Sequence, residues 1–121
     1  MIQICRSILT NPQDETRIHL LYGCRKYSDL LLKDLLNEWS QFWNFNVDYV
    51  LSSEEKPEQK YGERITFGCR IDEKCVRKKI NTLEKLSSRL LVMVCGTKSF
   101  EKDMINFLIK SGVSEDFIIK F

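Results

Sequence analysis

The apolar run Leu90-Leu91-Val92-Met93-Val94 closes on Cys95-Gly96-Thr97, and a helical pattern takes over from Ser99. An apolar run that turns through glycine into a helix reads as the carboxyl end of a buried parallel strand, where open α/β sheets hold their ligands. This junction predicts an α/β domain and places Cys95 facing a ligand crevice.

Size and charge narrow the class further. With 121 residues, 43% of them hydrophobic, and two tryptophans, one core is expected. Size scaling lets such a chain bury roughly two-thirds of the surface its unfolded form exposes. Lys plus Arg number 19 against 17 Asp plus Glu, so no strong field argues for nucleic acid or an anionic membrane. Five cysteines, at 5, 24, 69, 75 and 95, are odd in number and contain no Cys-x-x-Cys pair, and His19 is the single histidine. A disulfide framework and a metal site are therefore not expected, and reduced thiols in an intracellular compartment fit best. There is no signal-peptide pattern, and the apolar runs fall far short of the ~20 residues that span a bilayer.

Periodicity gives the order of elements. Ile2, Cys5, Ile8 and Leu9 mark one face of a short opening helix, ended by the turn residues Thr10-Asn11-Pro12-Gln13-Asp14. Arg17 to Tyr22 reads as a strand halted by Gly23. Ser28-Asp29 then cap a helix with Leu31, Leu32, Leu35, Leu36, Trp39 and Phe42 on the helical repeat. A second strand spans Phe45 to Leu51, followed by a polar loop from Ser52 to Gly62 containing Pro57. Ile65 to Ile71 is extended and leads at Asp72 into a helix through about Leu86. After the strand from Leu90 to Cys95, Phe100, Met104, Phe107 and Leu108 mark a last long helix. Gly112 stops it, and Phe117 to Phe121 is a final strand. Strands alternating with helices predict a mainly parallel sheet with right-handed crossovers. Doubly wound nucleotide-binding domains, however, begin with a strand whose glycine-rich turn delivers the first helix. A chain that opens on a helix has another fold, or its Met1 falls inside a longer domain.

Several tracts carry a resemblance. Tyr22-Gly23-Cys24-Arg25, Asp29-Leu30-Leu31-Leu32-Lys33, Asp48-Tyr49-Val50-Leu51-Ser52, Val92-Met93-Val94-Cys95-Gly96 and the terminal Phe121 follow the order and spacing of the pyridine-nucleotide domain of the ferredoxin reductase superfamily. The chain resembles its NADH-cytochrome b5 reductase branch. Gln41-Phe42-Trp43-Asn44 and Ser114-Glu115-Asp116 look more like the reductase-like members than the classical enzymes. The resemblance implies a truncated pyridine-nucleotide-binding domain over residues 1–121, an α/β fold with a three-layer Rossmann-like, mainly parallel sheet, without the first strand, its Gly-Thr-Gly turn and the preceding flavin-binding barrel. Full-length relatives pass a hydride from NADH to FAD and then electrons to cytochrome b5 or a similar haem acceptor. The expectation is that NADH or NADPH binds here and that FAD does not. The rival expectation is a non-catalytic fragment or interaction module with little nucleotide affinity.

Site residues follow from the resemblance, and each has a plainer alternative. Cys95 would lie beside the nicotinamide, orienting the ring; alternatively it is a small buried residue. No base or cation adjoins it in sequence, so nucleophilic use is not expected. Gly96 would let the cofactor approach closely, or simply make a strand-to-helix turn. Arg25 would reach adenosine phosphate or ribose, or be a solvated arginine. Asp29 is a candidate ribose ligand or an acid complementing a helix N-terminus. Ser52, with Ser53, stands where NADH-using relatives usually carry an acid, and its alternative is a loop start. The resemblance implies that Phe121 offers a contact to FAD in a full-length relative. Thr97 and Lys98 replace the prolines usual after Cys-Gly, making that turn less rigid. Lys60 and Tyr61 resemble a basic-aromatic pair of NADPH-dependent relatives, with a solvated loop as the alternative. His19 is expected to be a core histidine, and Trp39, Phe42, Trp43 and Phe45 a core cluster at the helix-to-strand corner.

Overall fold

A computed structural model describes residues 1–53, 64–86 and 89–121. Lys60, Tyr61 and most of the expected polar loop lie outside the described residues. Contacts group the chain into two compact units, Ile2–Arg70 and Ile71–Phe121, the latter with Met1.

The first unit contains α1 (Ile2–Leu9), β1 (Ile18–Cys24), a 3-10 turn (Tyr27–Asp29), α2 (Lys33–Trp39), β2 (Phe45–Leu51) and β3 (Arg64–Phe67). The strands form one parallel sheet in the order β1-β2-β3, and β1 pairs with β2 in continuous register from Ile18↔Phe45 to Cys24↔Leu51. Alternation along β2 turns Phe45, Val47, Tyr49 and Leu51 to one side, where all four are buried with Leu30, Leu36 and Trp39. The edge of Trp39 meets Phe45 at 5.7 Å between ring centres. Ile2, Cys5 and Leu9, spaced for one helical stripe, pack against the same cluster and anchor α1. Each large apolar side chain buried in this way contributes roughly 1.5–3 kcal/mol. Polar groups near this core are hydrogen-bonded: Tyr49 Oη donates to Asn37 Oδ1 at 3.0 Å, and the buried Asn44 Nδ2 donates to the Thr16 carbonyl at 3.0 Å.

Three expectations change here. Gly23 does not halt β1, which continues through it to Cys24 with Gly23 paired opposite Val50. Ser28-Asp29 do not start α2. They sit in the 3-10 turn, and Leu32, at φ 58, is the residue that precedes the helix. Leu30 is drawn into the core while Leu31 and Leu32, expected on the helical stripe, are exposed. Finally, only Trp39 and Phe45 of the aromatic cluster are core; Phe42 and Trp43 are 46% and 65% exposed, and the guanidinium of Arg17 lies over the Trp43 ring at 5.8 Å.

The second unit contains α3 (Glu73–Leu86), β4 (Val92–Val94), α4 (Lys98–Lys110), a 3-10 turn (Glu115–Phe117) and β5 (Ile118–Lys120). Asp72 starts α3 as expected, its carboxylate accepting from the Cys75 amide at 2.8 Å. Gly112, at φ +96, ends α4 in a conformation that favours glycine. Ile71, Val76, Ile80, Val94, Met104, Leu108 and Val113 are its buried apolar residues. β4 and β5 are parallel, with Val92↔Ile118, Met93↔Ile119 and Val94↔Lys120. The expected buried strand from Leu90 to Cys95 is shorter and more open: Leu91 is exposed, Val92 and Met93 are half-buried, and only Val94 is buried. Among the described residues β4 pairs with β5 alone, which shields one edge and leaves Leu91, Ile119 and Phe121 in contact with solvent.

Candidate functional site

In the first unit the carboxyl ends of β1 and β2 are tied together beyond the strands. The Ser52 amide donates to the Cys24 carbonyl at 3.0 Å and the Ser53 amide to the Arg25 carbonyl at 2.9 Å. Parallel pairing in register thus brings Arg25 beside Ser52 and Ser53, although 27 positions separate Arg25 from Ser52 in sequence. Arg25, Asp29 and Ser53 are exposed and Ser52 is half-buried. This end of the sheet presents a guanidinium and two hydroxyl-bearing residues, a donor set suited to phosphate or ribose. Asp29 does not complement the start of α2, because its 3-10 turn ends before that helix begins.

In the second unit Cys95 follows β4 and Phe121 follows β5, and the Phe121 amide donates to the Val94 carbonyl at 3.0 Å. Cys95, Gly96 and Phe121 are all exposed, so Cys95 is not a buried core residue. Thr97 caps α4, its hydroxyl accepting from the Phe100 amide at 3.3 Å. Gly96 has an intramolecular reason that the sequence reading missed. A Cβ there would lie 2.6 Å from Cδ1 of Phe100, whose ring occupies the space that a side chain would fill. The signal was a glycine four residues before an aromatic in the first turn of the helix.

The structure therefore brings Arg25 together with Ser52 and Ser53 in one unit, and the Cys95 segment together with Phe121 in the other. His19 is half-buried within β1. None of the five cysteines is in a disulfide, and no group of three His, Cys, Asp or Glu side chains able to hold a metal occurs among the described residues. No helix of the described residues is long and apolar enough to cross a membrane.

Parallel strands presenting polar and small residues at their carboxyl ends, with helices between them, define an α/β domain of the nucleotide-binding class. Its fold is similar to that of the solved CS-b5R domains of human Ncb5or in their NAD+ form, with a TM-score of 0.72 at 18% identity, covering 100% of this chain and 32% of that one. Residues 1–106 match the oxidoreductase NAD-binding domain, and the chain belongs to that family. It is 32% identical over 120 residues to the NADH-cytochrome b5 reductase-like protein of Homo sapiens, covering 96% of this chain and 36% of the relative. It is also 32% identical over 124 residues to NADH-cytochrome b5 reductase 1 of Dictyostelium discoideum, covering 100% of this chain and 40% of the relative. The resemblance to cytochrome b5 reductases is borne out, and the chain spans little more than a third of the length of these relatives.

Proposed function

We propose that this chain is the pyridine-nucleotide-binding part of a flavin-dependent oxidoreductase, passing electrons from NADH through FAD to cytochrome b5 or a similar haem acceptor. The observation that supports the reading is the backbone ladder from Cys24 and Arg25 to Ser52 and Ser53, which brings an arginine and two serines together at the ends of two parallel strands. Arg25, Asp29 and Ser52 hold the adenosine. Cys95 and Gly96 lie by the nicotinamide, with Cys95 orienting the ring rather than reacting. The nucleotide supplies the hydride, and this chain's residues bind and position it. Phe121, exposed after β5, is available to a flavin. Residues 1–121 form this nucleotide-binding portion, FAD is held outside them, and cysteines outside disulfides suit an intracellular, cytosol-facing location.

With Ser52 in place of an acid, NADH and NADPH are both accepted, because no carboxylate repels the extra phosphate and Arg25 can pair with it. Titration of the purified chain with each nucleotide tests the reading. Saturable binding of both is expected. Absence of binding at millimolar nucleotide would favour the rival reading, a non-catalytic interaction module, for which the exposed Leu91, Phe117, Ile119 and Phe121 supply apolar surface.

A further inference from the structure

A groove of about 430 Å³ opens between α4 and β5, lined by Lys98, Glu101, Lys102, Ile105, Asn106 and Lys120. Lys98, Lys102 and Asn106 are four residues apart on one helix row, and Lys120 faces them from the strand, opposite Val94 in the sheet register. Like charges four apart on a helix repel each other, and among the described residues none of the three lysines is in an ion pair. Three lysines and one glutamate, Glu101, therefore line one concavity, an excess of two formal positive charges among its lining residues. A phosphate monoester carries about −1.5 to −2 charges at pH 7, which matches that excess. The concavity falls within the roughly 300–1,000 Å³ of small-molecule sites, and lysine is a common point-charge partner for phosphate.

The geometry points to a binding site for the phosphate or diphosphate group of a small molecule in the α4–β5 groove, held by Lys98, Lys102 and Lys120 with Asn106. This goes beyond the nucleotide reading given above and does not depend on Arg25, Ser52 or Cys95. A concave site lined by three lysines favours a small phosphorylated ligand over the face of an acidic protein.

The test is an amide NMR titration of the 121-residue chain with inorganic pyrophosphate at physiological salt. Saturable shifts at Ile105, Asn106 and Lys120 are expected, with the affinity of Lys102→Gln/Lys120→Gln reduced about tenfold or more by loss of charge-assisted contacts. Lys110→Gln, on the same helix but outside the groove, should bind within about twofold of the parent, since screening confines the effect to near neighbours. Repeating the titration with NADH present separates the sources. Displacement identifies the dinucleotide's own diphosphate, and additive shifts identify a separate phosphorylated molecule; either outcome supports a phosphate site. Absence of saturation, equal weakening by Lys110→Gln, or shifts produced by polyglutamate and not by pyrophosphate would each overturn it. Pyrophosphate binding alongside failed NADH binding would sink the nucleotide reading and leave the groove assignment standing.

Discussion

The Ser53 amide donates to the Arg25 carbonyl at 2.9 Å, just past the last paired residues, Cys24 and Leu51, of two parallel strands. β1 and β2 keep register for seven pairs up to this point. Cofactor preference is the first property this relationship makes testable.

Ser52→Asp places a carboxylate beside Arg25. It should compete for the guanidinium and repel a ribose phosphate, raising the NADH-over-NADPH affinity ratio by about tenfold, or roughly 1.4 kcal/mol. Dissociation constants for both nucleotides check this, and an unchanged ratio would remove Ser52 from the site.

Cys95 is exposed, so it should react readily with iodoacetamide, and bound NAD+ should slow that reaction several-fold if the nicotinamide lies over it. Peptide mapping distinguishes it from Cys69, which is also exposed and serves as the internal control. Equal labelling of Cys95 with and without nucleotide would reduce it to an ordinary surface thiol. In an intact reductase, Cys95→Ala should slow flavin reduction more than it weakens nucleotide binding, because small misplacements of reacting atoms cost large factors in rate.

Gly96→Ala would set a methyl group 2.6 Å from the Phe100 ring. Displacing the ring should destabilise the chain by about 1–3 kcal/mol. Urea denaturation of Gly96→Ala, Phe100→Leu and the double variant gives the coupling directly, and the double variant should cost less than the sum of the two. Additive effects would mean that the ring does not fill the place of the missing side chain.

Phe45 is 1% exposed and meets Trp39 edge-on. Phe45→Ala should cost about 3–5 kcal/mol, enough to unfold a marginal unit. Far-UV circular dichroism and the denaturation midpoint measure it; a loss under 1 kcal/mol would show that the cluster collapses around the gap.

Burial pushes the Cys5 thiol above its ordinary value of 9.0, offset in part by the nearby N-terminal charge and a backbone hydrogen bond. The folded state then holds the proton where the unfolded chain releases it. The associated stability is full below pH 9 and is lost as pH rises from there through the folded value. The denaturation midpoint should fall more steeply above pH 9 for the parent than for Cys5→Ala, and identical slopes would assign Cys5 no part in the alkaline loss.

Local patterning determined much of the architecture. β2 matches its expected bounds because four alternating apolar residues require one buried face, and α3 begins after Asp72 because a short acidic side chain caps free amides. The Cys95-Gly96 junction and the family were legible for the same reason: a strand, a glycine and a helix are neighbours in sequence. Tertiary structure decided what depends on partners distant in the chain. Burial of Leu30, not helical spacing, set where α2 starts. Pairing opposite Val50 carried β1 through Gly23, and lack of cover exposed Phe42, Trp43 and Leu91. Parallel register brought Arg25 to Ser53, and the closing of β5 beside β4 set Lys120 across from Lys98 and Lys102. No local pattern records these relationships, because each is fixed by which strand pairs with which.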